Sequence, residues 1–237
     1  SWDFAPDGLG GAFIVWTNQG SAGPHDLYAQ HVDGDGVAQW PTLQTIAESD
    51  SVCQYPRIVA DSPGKFLVVW GEGNTVYPAG EVRVQRVESV AGTAHTAWNG
   101  LRGVNIGEST QIYSGYSELI PDGSGGVYLN WTRIEWDNFQ SSQTRLIYVD
   151  GNGSVNWNNG YVLENAMMCG EIRLLKQGSN LVTVAHYGQP ALETISMRSF
   201  DLVNGNAADE LDLASGYRGD IGDPTICRAD DFAHMGW

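Results

Sequence analysis

Short apolar runs punctuate the chain, and each is reached through a glycine-rich turn. PDGLGGAFIVW ends at Trp16, ADSPGKFLVVW at Trp70 and PDGSGGVYLNW at Trp131. Runs this short, bounded by Asp, Gly and Pro, have the length of strands rather than helices. They are apolar on both faces, so the strands they form must be covered on both sides. A second string follows each run. LYAQHVDGDGVAQW, VRVQRVESVAGTAHTAW and RLIYVDGNGSVNW end at Trp40, Trp98 and Trp157. In VRVQRV, Val82 and Val84 alternate with Glu81, Arg83 and Gln85, the period of a half-buried strand. A weaker fourth copy runs through KQGSNLVTVA to Ala185 and ISMRSFDLVNGNAADEL to Leu211, and RADDFAHMGW ends at Trp237.

Each unit reads as four strands, A to D. Strand A precedes an Asp-Gly turn, as in YPRIVAD and YSELIPD; B is the apolar run; C is the LYAQHV type; D carries the second tryptophan. The period is roughly 55 residues, and an antiparallel sheet hidden on both faces by its neighbours is a β-propeller blade. Seven of the nine tryptophans occupy repeat positions, which a single sandwich does not require. The expectation is an all-β propeller of four-stranded antiparallel blades. About four and a half fit the chain: 1–52, 53–113, 114–167, 168–221 and a partial unit at 222–237. Either the chain is part of a longer propeller or its last hairpin completes a small ring. A truncated ring would bare apolar blade faces and call for further blades or a neighbouring subunit.

Composition narrows the functional classes. The chain is 42% hydrophobic, enough for a substantial core, and its 17% charged residues and 30 glycines suit a turn-rich β protein. A net charge of −16, with Lys65 and Lys176 the only lysines, argues against nucleic-acid partners and anionic lipid. No apolar run approaches the ~20 residues of a membrane helix, so membrane insertion is not expected. Cys53, Cys169 and Cys227 show no CxxC spacing, and the five histidines are scattered without HExxH, so no metal centre is expected. His31 lies in a repeat strand, where packing is its expected role.

Asp33-Gly34-Asp35-Gly36 and Asp150-Gly151-Asn152-Gly153 read as C–D hairpin turns, whose positive φ suits Asp, Asn and Gly. Calcium is the one ion they suggest, but Val37 and Ser154 stand where a DxDxDG loop needs its third acid. No other cofactor is implied. The sialidase-type Asp-x-Gly-x-x-Trp box fails at the same turns. Asn130 and Asn152 open glycosylation sequons in form, the first inside a buried strand.

The strings GG-x-(I/V)-(I/V)-W, D-(L/I)-Y-A-Q-x-V-D-x-x-G-x-x-x-W and P-x-I-V-x-D-x-x-G resemble the tandem repeats of large secreted bacterial β-propeller proteins. The match is clearest from Gly10 to Trp70, holds in outline in the third unit and loses both tryptophans in the fourth. The resemblance implies an extracellular or cell-surface location and carries over no catalytic residues.

Strand parity adds an expectation of its own. The A–B and C–D turns share one end of each blade and are mostly short; the B–C and D–A connections share the other and are long and dissimilar. Variable loops on a rigid scaffold are the usual place for recognition. Tyr77, Tyr113, Tyr116, Trp136 and Phe139 fall there, with Glu135 and Asp137 flanking Trp136. Aromatic rings stack on sugars or anchor protein partners, and the two acids can hydrogen-bond hydroxyls. The leading expectation is a non-enzymatic extracellular or cell-surface binding or adhesion module for a protein or glycan. The alternatives are a glycan-active hydrolase or lyase with carboxylates at the central funnel, and a structural spacer in a surface assembly.

Overall fold

Strands appear in every unit, but strand D carries the second tryptophan only in the third: Trp40 precedes the fourth strand of its unit, and Trp98 falls in a break of its own. In a computed structural model of the chain, residues 1–18, 25–73, 80–109, 112–113, 118–135, 141–166, 168–189, 192–217, 225–229 and 232–236 are described. Blade 1 contains β1 (Trp2–Pro6), β2 (Ala12–Thr17), β3 (Leu27–Val32) and β4 (Gln44–Ala47). Blade 2 contains β5 (Val52–Ser62), β6 (Lys65–Gly73) and β7 (Gly80–Val90), with strand D split into β8 (Thr93–Thr96) and β9 (Val104–Ser109). In blade 3 strand A is split into β10 (Ile112–Tyr113) and β11 (Leu119–Pro121), followed by β12 (Val127–Glu135), β13 (Ser141–Val149) and β14 (Val155–Ala166). Blade 4 contains β15 (Met168–Gln177), β16 (Asn180–Gln189), β17 (Leu192–Asp201) and β18 (Leu211–Tyr217), and β19 (Thr225–Ala229) pairs with β20 (Phe232–Gly236) as a hairpin. Every pairing between these strands is antiparallel, in the order A-B-C-D within each sheet. The fold is therefore all-β and of propeller type.

The turns explain why the same acidic strings recur. Asp7 Oδ1 accepts the amides of Leu9 and Gly11 at 2.7 and 2.9 Å, and Asp122 Oδ1 accepts those of Ser124 and Gly126 at 2.6 and 2.9 Å. At the C–D turns, Asp33 Oδ1 accepts Asp35 and Val37 at 3.0 and 2.9 Å, and Asp150 Oδ1 accepts Asn152 and Ser154, both at 2.9 Å. The acid that opens each turn thus holds the turn's own backbone amides. The paired glycines of DGLGG and DGSGG have separate duties. Gly10 and Gly125 take φ of 99° and 96°, while a Cβ on Gly11 or Gly126 would stand 2.1 Å from Val32 O or 2.6 Å from Val149 O.

Strand C is more deeply buried than its alternation predicts. Val82 and Val84 are buried as expected, but so are Arg83 and Gln85. Gln85 is a backbone clamp: its Oε1 accepts Trp98 N–H at 2.9 Å and its Nε2 donates to Trp98 O at 2.8 Å. Gln30 treats Trp40 in the same way, at 3.3 and 3.2 Å. Polar residues here satisfy the tryptophan segments beside strand D, where no strand partner does so, rather than face water.

Apolar layers fill the spaces between successive blades. Phe13, Val15, Leu27 and Trp40 of blade 1 meet Phe66, Val68 and Trp70 of blade 2. Leu67, Val69, Val82 and Trp98 of blade 2 meet Leu129, Trp131 and Val149 of blade 3. Tyr128 and Leu146 of blade 3 meet Leu174, Leu181 and Phe200 of blade 4. Each fully buried large side chain contributes roughly 1.5–3 kcal/mol to this packing. The second tryptophans reach across the same interfaces. Trp40 Nε1 donates to Ser89 Oγ at 2.9 Å, Trp98 Nε1 donates to Gly151 O at 3.2 Å, and Trp157 lies against Gly205.

The rule that strand B is covered on both sides holds for β6, where Phe66 to Trp70 are all fully buried. It fails for β2. Phe13, Val15 and Thr17 are buried, but Ala12, Ile14 and Trp16 are only half-buried. Among the described residues, blade 1 has a packed apolar layer on one face only.

Candidate functional site

Of the seven loop-face residues singled out above, Tyr77, Tyr116, Trp136, Asp137 and Phe139 lie outside the described residues. Tyr113 stands in β10 opposite Thr132, and Glu135 ends β12 opposite Ser141, so the backbone of both belongs to sheet. The long connection after Trp98 is also largely sheet. Asn99, Gly100 and Gly103 take φ of 49°, 56° and 63° and turn the chain, and β9 then resumes pairing with β7. A broken strand D reads as a loop in sequence because its interruption carries the Asn and Gly of a true loop.

The described residues bring charged side chains together in three other places. The first is the inner edge, where the A strands of successive blades lie side by side. Asp3, Arg57, Glu118 and Arg173 occupy one register position there, each the same distance ahead of the turn residue Asp7, Asp61, Asp122 or Gln177. Asp3 Oδ2 accepts the Ile58 amide at 3.0 Å, and Glu118 Oε2 accepts the Leu174 amide at 2.5 Å. Arg173 Nη1 lies 4.0 Å from Glu118 Oε1. Arg57 is exposed and the other three are half-buried. Acid and base thus alternate through four blades, with carboxylates able to accept, and guanidiniums to donate, hydrogen bonds from and to hydroxyls. The sequence carried this signal as a charged column within otherwise apolar A strands (WDFAPD, PRIVAD, SELIPD, IRLLKQ).

The second place is the loop end between blades 1 and 2. Ser49 Oγ donates to Glu72 Oε1 at 2.6 Å, and Arg83 Nε lies 2.7 Å from Glu72 Oε2. Arg83 also pairs with Glu81 and donates from Nη1 to Arg102 O at 2.9 Å. Asp26 Oδ1 accepts the Ser49 amide at 3.3 Å. Cys53, a free thiol, is buried beside this group; burial first, and then the charges of Glu72 and Asp26, push it up to about 12. Such a thiol stays protonated and is no nucleophile near neutral pH. Paired so closely and so little exposed, these groups fix the ends of β6 and β7.

The third place is the turn end. A strand-A carboxylate reaches strand C in three blades: Asp7 to His31 at 2.8 Å, Asp61 to Arg86 at 3.2 Å and Asp122 to Tyr148 at 2.8 Å. The His31 hydrogen bond, above all, holds the Asp7 carboxyl below its ordinary value, helped by the Leu9 and Gly11 amides against burial. Burial opposes the charge on Asp122, but Ser124, Tyr148 and Gly126 outweigh it and lower that carboxyl too. Burial, followed by Asp122, pushes the Tyr148 phenol up. His31 also stacks on Phe13 with ring centres 4.5 Å apart, the packing role expected of it.

No family model and no curated protein matches the chain. Solved structures match it in fold. An α-L-arabinofuranosidase of Fusarium graminearum in complex with an iminosugar inhibitor is 12% identical with a TM-score of 0.56, over 94% of this chain and 69% of that one. The polysaccharide lyase Uly1 is 12% identical with a TM-score of 0.56, over 99% of this chain and 53% of that one. An α-L-arabinofuranosidase of Fusarium graminearum in complex with arabinobiose is 10% identical with a TM-score of 0.53, over 96% of this chain and 71% of that one. The chain therefore spans about half the length of the lyase. At these identities the likeness is one of fold alone.

Proposed function

We propose that this chain is an extracellular, glycan-active propeller, of hydrolase or lyase class, with its polar contacts at the inner edge. The observation that carries this reading is the register column Asp3, Arg57, Glu118 and Arg173. It sets carboxylates and guanidiniums at one level of a scaffold shared with an arabinofuranosidase and a polysaccharide lyase. Glycosidic cleavage needs a proton donor and an acceptor or nucleophile, and two carboxyl groups supply both. Arg57, the most exposed of the four, would orient a hydroxyl or carboxylate of the sugar.

A panel of plant and algal polysaccharides, scored for released reducing ends and for unsaturated products, tests the proposal. Asp3→Asn and Glu118→Gln keep an acceptor oxygen for the Ile58 and Leu174 amides but cannot ionise. Each should therefore remove turnover by at least about 100-fold while Tm changes little. Turnover indifferent to both substitutions would refute the assignment. The binding-module reading stays as the second, because Asp3 and Glu118 already accept a neighbouring amide, as structural acids do. Glycan retention without turnover on the same panel would favour it.

A further inference from the structure

We propose that the open face of blade 1 is a seat for a further blade of the same repeat, which delivers a strand-D tryptophan to the turn around Gly36. The seat is defined by the interfaces already formed. Blade 2 presents Ile58, Phe66, Val68, Trp70 and Val87 to blade 1, and all are buried. Blade 3 presents Leu119, Val127, Leu129, Trp131 and Val149 to blade 2, again buried. One repeat earlier the same positions are Phe4, Ala12, Ile14, Trp16 and Val32. None of these residues is buried. Phe4 is 58% exposed, its neighbour Trp2 is 69% exposed, and the other four are half-buried. The register makes them one surface: Trp2 pairs with Trp16 and Trp16 with Tyr28, while Phe4 pairs with Ile14. Among the described residues, blade 1 thus carries a complete receiving face without the apolar layer that buries its counterparts.

The tryptophan contact gives a second, independent sign. Gly36, Gly92, Gly153 and Gly205 occupy the same place in the four C–D turns, all with positive φ. A Cβ on Gly92 would meet Gln39 O at 3.7 Å, one on Gly153 would meet Trp98 at 3.0 Å, and one on Gly205 would meet Trp157 at 2.8 Å. In each case the preceding blade's strand-D segment supplies the contact. A Cβ on Gly36 meets nothing within 4 Å, and Val37 beside it is 57% exposed. Side-chain layer and turn pocket are vacant together. The occupant that fits both is a four-stranded blade with an apolar donating face and a tryptophan at or beside its fourth strand. A flat apolar partner would cover the layer and leave the turn empty.

The test is a full chain with a second copy of residues 1–54 fused ahead of Ser1, reproducing the linkage from blade 1 to blade 2. The fusion should melt in one transition, with Tm raised by about 5 °C or more. Trp40→Ala in the added copy, or Phe4→Ser in the receiving copy, should remove most of that gain. In the parent chain Phe4→Ser should move Tm by no more than about 2 °C. An added copy that melts separately, or is trimmed by protease at unchanged Tm, overturns the proposal. So does a concentration-dependent dimer of the parent that Phe4→Ser dissolves, which would make a second chain the occupant. Polysaccharide binding by the parent that Phe4→Ser abolishes would make the face a sugar platform and overturn it equally. One measurement is independent of the fusion. The parent should enhance the fluorescence of the dye ANS, and Trp2→Ser with Phe4→Ser should remove most of the enhancement; no reduction means the face is not an open seat.

Discussion

Asp7 holds three partners at once: the Leu9 and Gly11 amides on one oxygen and His31 Nε2 on the other. Its carboxylate is almost entirely buried, so an imperfect replacement leaves polar groups without partners. Asp7→Asn should cost about 2 kcal/mol near neutral pH, a Tm drop of roughly 4–8 °C. The sign of the pH dependence follows from the lowered carboxyl. The native state favours the ionised form, so the stabilisation is complete above the ordinary value of 3.8 and is lost as pH falls through it toward the lower native value. Melting curves of both proteins from pH 7 down to pH 3 should therefore converge in acid. A constant gap would mean that the charge of Asp7 plays no part. The turn role of Asp7 was legible in PDGLGG, because an Asp two residues before Gly-rich backbone caps its own turn. Its pairing with His31 was not, since that contact depends on how strands A and C lie on either side of B.

At the scale of elements, the co-travelling strings LYAQHVDGDG and its tryptophan have a physical cause that no single unit reveals. The tryptophan of one blade serves the turn of the next. Sequence showed that turn and tryptophan recur together; it could not show that they belong to different interfaces. Trp98 is the best place to measure the contact, because its ring lies against Gly153 and its indole N–H reaches Gly151 O. Trp98→Ala should destabilise by about 3–5 kcal/mol, and Trp98→Phe by less, since a ring remains. Gly153→Ala faces two penalties: a φ of 82° and a Cβ 3.0 Å from the Trp98 ring. Together they should cost about 1–3 kcal/mol. In the double variant only the backbone penalty survives, so the two effects should fall short of additive by about 0.5–1 kcal/mol in chemical denaturation. Strict additivity would show that the ring and the turn do not touch in solution. The charged column of the A strands was equally present in the sequence. It was hidden because each charge sits in a different unit, and only the stacking of the blades brings them level.

At the scale of the molecule, each blade depends on its neighbours, and protection should follow coverage. Stacked repeats gain stability from their own sheets and from the interfaces on either side. β6 has both kinds of support in full: Phe66, Val68 and Trp70 face blade 1, and Leu67 and Val69 face blade 3. β2 has the same place in its sheet and a similar apolar sequence, but one face is only half-buried. The fold class and the repeat were legible because the hydrophobic pattern is local to each unit. The unequal coverage of equivalent strands was not, because it depends on which neighbours a unit has. Hydrogen exchange separates the two strands. Amides opening only by global unfolding report the full stability, whereas those on an unsupported sheet open at lower cost. Peptides from Lys65–Gly73 should therefore exchange slowest, and those from Ala12–Thr17 at least about tenfold faster, a difference of about 1.4 kcal/mol or more in opening free energy. The ordering tests the ring directly, since intrinsic strand preference is similar in AFIVW and FLVVW and cannot produce it. Equal protection of β2 and β6 would mean that blade 1 is covered in solution or that unfolding is fully cooperative across the blades. A chain whose Phe66→Ala substitution speeds exchange in both strands at once would point to the second of these.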